Sequence, residues 1–332
     1  MDDEKGTMTD EQIRVEVRKD ELRMKIKGEN EIMINTNTRR QEVRNMLQFK
    51  EVREFYKTLQ LSLRDSKIVG GTLVMPEIVS DRIKELLPKH SGLYDEVQVV
   101  PVGTDGRVII SVGEAKAVWH QVTTTLDELD TTFELMEMED IKLGGYIPIA
   151  NCVLSDSIID TVMYLEELLV KALAHGLDDG IINGAGDYTS IFEPVGILMN
   201  LPEMNKVTIP FTIADILSKV SLIDIGIKDD IGEVIAVMKR KDYYKYILPI
   251  TNTTLPYPNI GGIRVIFSSA VAADDIILGD YKEYILAERN KVRLESSDQA
   301  RFLEEQALFK VVGRYDGKPH NAKAFVKLTK QA

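Results

Sequence analysis

One long amphipathic pattern, from Ser155 to Asn183, constrains the fold of this chain most. Apolar residues recur there at the 4-3-4-3 spacing that keeps side chains on one face of an α-helix, and a second apolar stripe lies beside the first. The stripes are Ile158, Val162, Leu165, Leu169 and Ala172, and Ile159, Met163, Val170, Leu173 and Leu177. The pattern predicts a helix roughly 40 Å long, at ~1.5 Å per residue, with a broad buried face.

The opposite side of this helix is charged, and both ends carry helix-terminating signals. The charged residues are Asp156, Asp160, Glu167, Lys171 and Asp178. We predict that they face water or a partner, with Glu167 and Lys171 forming an i,i+4 pair. Ser155 is a candidate N-cap and Gly184 a candidate C′ residue. A helix of this length can brace a flat, extended subunit as well as a compact one.

The composition is that of a folded protein with an acidic balance. The chain has 332 residues, 44% hydrophobic and 28% charged, which predicts about two domains. Its net charge of -12 argues against a dedicated nucleic-acid binder, although it allows proximity to DNA without tight binding. We expect no membrane span, because no apolar run approaches the ~18 residues required. The polar N-terminus and the single Cys152 favour synthesis in a cytoplasm, without an internal disulfide.

The first half of the chain divides into a charged arm and a long hairpin. Residues 1–66 are rich in both charge signs, and their best helix runs from Thr38 to Leu61. That segment is either a solvated helix or a tether used in assembly. The residue pattern changes at Gly70-Gly71, after the charged arm. A turn signal at 103–106 then precedes a hairpin from Arg107 to Leu143. Such a hairpin has little to pack on inside its own subunit, so Trp119 near its tip is either a core residue or an intersubunit anchor.

The second half of the chain mixes helices and strands. We predict helices over 212–224 and 239–247, the latter charged and rich in tyrosine, a short buried strand over 233–238, and further strands over 263–267 and 276–278. The tail returns to strands over 284–287, 292–295 and 307–315, with a turn at 316–319 and a last strand that carries Ala324, Val326 and Leu328. The sequence therefore predicts an α+β fold.

Catalytic and metal-binding patterns are missing from the sequence. The four histidines, His90, His120, His175 and His320, have no metal-ligand spacing. Residues 183–187 are rich in glycine, but they follow a helix and lack the Gly-Lys-Ser/Thr ending, so a helix C-cap explains them better than a phosphate loop. We therefore predict no catalytic, cofactor-binding or metal residues, no cofactor and no enzyme activity.

The order of these segments resembles the major capsid protein family of tailed bacteriophages, which has the Hong Kong 97 phage capsid fold. GGTLVMPEIV looks like the entry into that family's mature region, and the segment from Ser155 to Gly186 followed by 194–198 looks like its spine helix and the crossing beyond. GGIRVIFSSAV, IILGDYKEYILAERNKVRLE and GRYDGKPHNAKAFVKL look like its C-terminal half. The resemblance covers about Gly70 to Leu328.

The resemblance implies a domain plan. An N-terminal arm, a possible scaffolding or assembly segment, covers 1–66. The peripheral domain combines 67–100, 139–190 and 280–332 with the spine helix at 155–183, the extended loop is 101–138, and the axial domain is 191–279. Family arms are often longer and removed by a phage protease. Cleavage, a separate scaffolding protein and no removal all stay open here.

The resemblance also implies partners and a location. The chain would assemble with itself into hexamers and pentamers that close an icosahedral head around packaged double-stranded DNA, without sequence-specific binding and without a membrane. Scaffolding, portal and decoration proteins are further partners that it allows. The protein would belong to the virion and assemble in the host cytoplasm. An encapsulin-type compartment shell and a cytoplasmic α/β enzyme with an unrecognised site are the alternatives.

The family's type member forms isopeptide crosslinks, and this sequence departs from that pattern. Lys116 lies where the loop lysine would be. The position expected for the asparagine holds Glu305, and the region expected for the catalytic glutamate reads Val311-Val312-Gly313. Asn290 and Asn321 lie elsewhere. We therefore predict that Lys116 is a solvated or ion-paired lysine and that no covalent ladder forms.

Overall fold

The computed structural model describes residues 41, 45–55, 57, 77–103, 106–112, 132–150, 158–225, 233–251, 257–289, 292–297, 302–304 and 306–331. The helices are α1 (Glu77–His90), α2 (Ile158–Asn183) and α3 (Ile213–Ser218). A helical segment over 240–250 joins an α-turn (Arg240–Asp242), a π-turn (Tyr243–Ile247) and a 3-10 turn (Leu248–Ile250). Other 3-10 turns are Glu203–Asn205, Lys219–Leu222, Tyr281–Glu283, Phe302–Glu304 and Ala322–Ala324.

Thirteen strands are present in the described residues, and they form two sheets and one hairpin. They are β1 (Gln98–Pro101), β2 (Arg107–Val112), β3 (Thr132–Glu137), β4 (Ile141–Ala150), β5 (Lys206–Ile209), β6 (Ile235–Met238), β7 (Asn259–Ile260), β8 (Ile263–Phe267), β9 (Asp275–Gly279), β10 (Tyr284–Glu288), β11 (Arg293–Ser297), β12 (Gln306–Pro319) and β13 (Phe325–Lys330). The mixture of helices and sheets confirms the predicted α+β class.

The five-stranded sheet is built on β12, its longest strand. Its order is β1-β10-β12-β11, and β4 also pairs with β12 over ten residues. The predicted turn at 316–319 is wrong, because these residues continue β12 and pair antiparallel with Tyr284–Ala287 of β10. The local turn signal of Asp316-Gly317 is overridden by a neighbouring strand that satisfies the backbone hydrogen bonds of this segment.

The six-stranded sheet has the order β5-β13-β9-β6-β8-β7. Its strand β13 runs parallel to β5 and antiparallel to β9. Phe325, Val326 and Leu328 of β13 are completely buried, so both faces of this strand are covered, and β5 and β9 pair with its two edges. The domain plan groups this strand with 280–332, whereas in the structure it completes the sheet of residues 206–279.

The hairpin of β2 and β3 packs on the five-stranded sheet at its base. Val108 and Met138 form a small apolar cluster with Ile285 and Ala287 of β10. The expectation that the hairpin has little to pack on inside its own subunit is therefore wrong for its described base. Its tip, with Lys116 and Trp119, lies outside the described residues.

Helix α2 confirms the amphipathic pattern at four of the five stripe residues whose side chains are described. Leu169, Val170, Leu173 and Leu177 are buried, whereas Ala172 is exposed. Lys171 Nζ lies 2.5 Å from Glu167 Oε1, as the spacing predicted. The candidate N-cap Ser155 lies outside the described residues. Asp178, predicted to face water or a partner, is instead buried, because the rotation of the helix brings it under the loop that follows α1.

The described part of the N-terminal arm joins the main core. Residues 50–55 are helical, and Met46, Val52 and Phe55 are buried in the same apolar cluster as the inner face of α2. The solvated-helix alternative is therefore wrong for this part of the arm. The same cluster extends through both sheets, so one continuous core joins this part of the arm, α2 and the two sheets.

The predicted helix over 212–224 is shorter than the sequence pattern suggests. Thr212 caps α3 by accepting the N–H of Asp215 at 3.1 Å, and a 3-10 turn follows α3. The predicted helix over 239–247 appears as the α- and π-turns of segment 240–250.

Candidate subunit-contact surfaces

An apolar pair is exposed on the outer face of the hairpin. Ile109 of β2 lies directly opposite Leu135 of β3, and the two side chains are 69% and 59% exposed. Arg107 and Glu137 form the next pair on the same face, with Arg107 Nη2 3.9 Å from Glu137 Oε1. Directly opposed apolar side chains stabilise a sheet when a partner surface covers them. This face is therefore a candidate contact with another subunit.

A buried carboxylate joins α2 to two loops that are distant in sequence. The Ser91 hydroxyl donates to Asp178 Oδ1 at 2.5 Å, and the Gly92 N–H and the Ser268 hydroxyl each donate to Oδ2 at 3.3 Å. Burial raises the pKa of Asp178, and these hydrogen bonds offset part of that rise. The loop after α1 and the loop after β8 are thereby fixed to the same turn of the long helix.

A second buried carboxylate lies on β12. Asp316 accepts the N–H groups of Glu139 and Gly317, each at 2.8 Å, and the Tyr188 hydroxyl at 3.3 Å. Desolvation raises the pKa of Asp316, while its hydrogen bonds act in the opposite direction. Lys318 Nζ lies 5.2 Å from the centre of the Tyr188 ring. The residues after the hairpin and the loop after α2 are thus held on one strand.

A bidentate ion pair connects the two sheets. Arg264 of β8 donates to both carboxylate oxygens of Glu96, at 2.8 and 2.7 Å, and its Nε lies 3.2 Å from Glu233. The hydrogen bond to Glu96 is the main cause of the raised pKa of Arg264. Glu96 precedes β1 of the five-stranded sheet, so this pair and Asp178 hold the six-stranded sheet against the segment between α1 and β1.

A cavity of about 230 Å³ lies between α2 and the five-stranded sheet. Gly180 and Phe192 line it, together with Tyr284 and Tyr315. Phe192 is 58% exposed and has a φ of 58°, a left-handed backbone conformation that is costly for a bulky residue. The Tyr284 hydroxyl is buried and has no hydrogen-bond partner within the described residues.

Gly184 ends α2 for a steric reason rather than a conformational one. A Cβ atom at this position would lie 2.3 Å from the carbonyl oxygen of Pro194. The left-handed φ of this turn occurs at Gly186 instead. Gly184 N–H donates to the carbonyl of Gly180 at 3.2 Å, which agrees with the predicted helix C-terminus. The glycine-rich run after α2 is therefore a tight crossing against the chain that returns at 194–196.

Four of the residues considered for crosslinking lie in the described chain: Val311, Val312 and Gly313 on β12, and Asn321 in the turn before β13. Val311 is buried on β12, between Leu294 of β11 and Gly145 of β4. Asn321 stabilises the turn, because its Nδ2 donates to the carbonyl of Asp224 at 2.7 Å and its Oδ1 accepts the Lys323 N–H at 3.0 Å. The remaining candidates, Lys116, Asn290 and Glu305, lie outside the described residues.

Membrane spans and metal clusters are both absent from the described part of the chain. No helix there is both long and apolar enough to cross a membrane. In the same residues, no cluster of three or more His, Cys, Asp or Glu side chains is arranged to hold a metal ion. Sequence reasoning did not anticipate the contacts of Asp178, Asp316 and Arg264, since their partners are distant in sequence and no local motif marks them.

A model of the phage capsid family matches residues 70–330. This chain belongs to the phage capsid family. No curated protein matches it. Among solved structures, the chain is similar to a satellite phage P4 procapsid that includes the size determination (Sid) protein. The TM-score is 0.54 and the identity 13%, over 85% of this chain and 98% of the P4 chain.

Two further capsid structures show the same likeness. The capsid of an empty GTA particle gives a TM-score of 0.51 at 17% identity, over 81% of this chain and 94% of that chain. A structure from Mycobacterium phage Adephagia gives a TM-score of 0.53 at 12% identity, over 73% of this chain and 90% of that chain. The family and the fold therefore identify a phage capsid protein of the Hong Kong 97 type, a structural component of the virion head. Neither comparison supports the encapsulin or enzyme alternative.

Proposed function

We propose that this capsid protein is the major shell subunit that assembles into hexamers and pentamers and closes an icosahedral head around double-stranded DNA. The observation that carries the proposal is the exposed Ile109–Leu135 pair on a hairpin whose other face is already packed, in a chain that belongs to the phage capsid family. We infer a structural role without catalysis, and assembly in the host cytoplasm. Contacts with scaffolding, portal and decoration proteins are part of the same proposal.

The proposed domain plan follows the sheets of the molecule. The five-stranded sheet and α2 would form the peripheral domain, the hairpin the extended loop, and residues 191–279 the axial domain with the addition of β13. Residues 1–66 would act as an assembly arm, with Met46, Val52 and Phe55 anchoring it to the core of its own subunit. Lys116 would be an uncrosslinked lysine, so that boiled particles run as one band on a denaturing gel.

The test is assembly of the full chain with and without its outer hairpin face. Electron microscopy and size-exclusion chromatography should show capsomers or closed particles for the wild type, with scaffolding protein supplied where the chain alone does not close. The double variant Ile109→Asp and Leu135→Lys should stay in small species, because charged side chains cannot be buried in an apolar contact without a large desolvation cost. Its thermal unfolding should match the wild type, since both positions are exposed and the two opposite charges face each other across the strands.

Met204→Asp is the matched control for this experiment. Met204 is 72% exposed and lies on the 3-10 turn before β5, away from the hairpin. It should assemble as the wild type does. Wild-type protein that remains monomeric at high concentration with scaffold present would overturn the proposed function, and normal assembly of the double variant would remove the hairpin face from it.

A further inference from the structure

The helical segment over 240–250 begins with a local reversal of the protein's acidic balance. The eight residues from 239 to 246 read KRKDYYKY and contain four lysines or arginines, three tyrosines and one aspartate, whereas the whole chain has a net charge of -12. Concentrated positive charge in an acidic chain is the electrostatic pattern expected of an anion-binding surface. Aromatic residues between cations are typical of surfaces that contact nucleic acids.

One side of this segment is buried in the fold, and the other side is exposed and cationic. Asp242, Tyr243 and Ile247 are buried, and the Asp242 carboxylate accepts the Asp274 N–H at 3.0 Å. The exposed side chains are Arg240, Lys241, Tyr244 and Lys245, which we call the cationic face. The Asp242 carboxylate is thus hydrogen-bonded inside the subunit, whereas three cations and one tyrosine are exposed on the same side.

Aromatic rings hold the cations of this face in place. The Arg240 guanidinium lies 5.2 Å from the centre of the Phe267 ring, which stacks with Tyr244 at 6.5 Å. Lys245 Nζ donates to the Tyr246 hydroxyl at 2.5 Å and lies 4.4 Å from the centre of that ring. Lys330 Nζ approaches the same ring, at 4.9 Å from its centre. Contacts of this kind restrict a long side chain without neutralising its charge.

No carboxylate of the described residues forms an ion pair with Arg240, Lys241 or Lys245. The hydrogen bond to Tyr246 is the main cause of a raised pKa at Lys245, and Asp274 and Asp242 contribute at longer range. Lys245 therefore carries its full charge at neutral pH. The side chains of the cationic face are held in place, and no carboxylate of the described residues neutralises them. Their charge is therefore available to a partner outside the subunit.

We propose that the cationic face binds the phosphate backbone of double-stranded DNA without reading its sequence. The inference rests on the proposed function, since DNA is the polyanion that a closed head would present to every subunit. Arg240, Lys241 and Lys245 are exposed together on one side of the segment, so a phosphate backbone can contact all three at once. Three phosphate contacts give each subunit only weak binding to DNA. The many subunits of one shell together make this binding stronger.

An acidic segment of a second protein is the competing occupant, and the observations favour DNA over it. Acidic protein partners are best matched by bidentate arginines, but only Arg240 on this face can form such a pair, and its guanidinium lies against Phe267. Lysines recognise phosphates as point charges without fixed geometry. The exposed Tyr244 ring adds a surface that contacts sugar or base edges.

The test measures binding of a short, mixed-sequence DNA duplex to full-length protein by fluorescence anisotropy over a range of salt concentrations. The variant is Arg240→Gln, Lys241→Gln and Lys245→Gln combined. The control is Lys89→Gln, Lys142→Gln and Lys323→Gln combined, which removes the same charge from exposed lysines elsewhere. Each phosphate contact adds about 0.9 to the slope of log K against log salt, so losing three should lower the slope by about 2.7. When the salt concentration rises from about 50 to 200 mM, the triple variant should therefore lose roughly 40-fold less affinity for DNA than the wild type loses.

Lys241→Glu provides a second variant that does not depend on the aromatic contacts. No hydrogen bond, ion pair or ring contact of the Lys241 side chain is seen within the described chain, so this change should leave thermal unfolding unaltered while weakening DNA binding. The proposal is overturned if the wild type does not bind the duplex, if the control variant loses as much binding as the triple variant, or if polyglutamate competes for the face while DNA does not. Electron microscopy distinguishes failure of the DNA contact from failure of the proposed function. If particles form normally but the binding tests fail, only the DNA contact is contradicted. If the wild type forms no particles, the proposed function is contradicted.

Discussion

At the scale of single residues, buried polar groups connect segments that the sequence keeps far apart. Asp178 and Asp316 are carboxylates inside the fold, each held by several donors. Their pKa values are raised because burial disfavours the charged form more than the hydrogen bonds favour it. The sequence pattern placed Asp178 on a polar helix face, and only the path of the loop after α1 shows that this face is covered.

The pH dependence of stability should carry the signature of Asp178. Its pKa is raised above 3.8 in the folded state, so the folded subunit binds this proton more readily than the unfolded chain. Its contribution to the free energy of unfolding is therefore most favourable in acid and falls as pH rises from 3.8 to the raised folded-state value. Asp178→Asn should remove this component in urea unfolding followed at several pH values. The exposed Asp95→Asn is the control, and a component of opposite sign would contradict the assignment.

Two fully buried tyrosines should respond differently to loss of their hydroxyl groups. The Tyr281 hydroxyl donates to the carbonyl of Ile277 at 3.4 Å, whereas the Tyr284 hydroxyl has no partner in the described residues. Tyr284→Phe should raise the free energy of unfolding by about 1 kcal/mol, because an unsatisfied buried polar group is removed. Tyr281→Phe should lower it by up to about 1 kcal/mol. Destabilisation by Tyr284→Phe would show that a buried water bonds this hydroxyl.

At the scale of elements, strand pairing sets requirements that local sequence does not show. Gly144 and Gly145 are adjacent on β4, and both pair with β12. A Cβ atom on Gly144 would lie 2.1 Å from the Val311 carbonyl oxygen, whereas one on Gly145 would meet nothing within 4 Å. Only the first glycine is therefore needed for the close approach of the two strands.

Alanine substitutions should separate these two glycines. Gly144→Ala should lower the free energy of unfolding by about 2–3 kcal/mol, since β4 and β12 must move apart to accept the methyl group. Gly145→Ala should change it by less than about 1 kcal/mol. Chemical denaturation of the two variants under the same conditions measures both values, and equal losses would refute the steric explanation.

The elements that the sequence predicted well carry their signal locally. Helix α2 repeats its apolar residues over several turns, and the buried strands β6 and β9 are short continuous apolar runs. The residues at 316–319 carry a false turn signal because Asp-Gly and Pro favour turns, yet β10 lies beside them and completes the ladder. The position of β13 could not be read from sequence either, since its neighbours β5 and β9 are chosen by tertiary packing.

At the scale of the whole molecule, the two sheets share a core and are joined by few polar contacts. The Arg264–Glu96 pair is the most geometrically defined of these, with two hydrogen bonds between fork-shaped groups. The side chains are 36% and 17% exposed, so solvent screens part of their attraction. The resemblance to the capsid family anticipated this overall architecture, but it gave no indication of which residues hold the sheets together.

A double-mutant cycle should measure this connection. Glu96→Gln and Arg264→Met should show a coupling of about 1 kcal/mol in the free energy of unfolding, because each single change already removes the bidentate pair. The exposed pair Lys206–Glu203, at 2.7 Å, is the control and should couple by less than about 0.5 kcal/mol. Equal coupling in the two cycles would argue that Arg264 is no more than a surface ion pair.

The interior position of β13 affects when the subunit becomes competent to assemble. On the ribosome, this strand is made after the other five strands of its sheet, and until then β5 and β9 lack the neighbour that lies between them. A nascent or prematurely terminated chain would expose both strand edges and could not present a finished surface to other subunits. A chain that ends before β13 should therefore leave these two edges unpaired and this sheet incomplete.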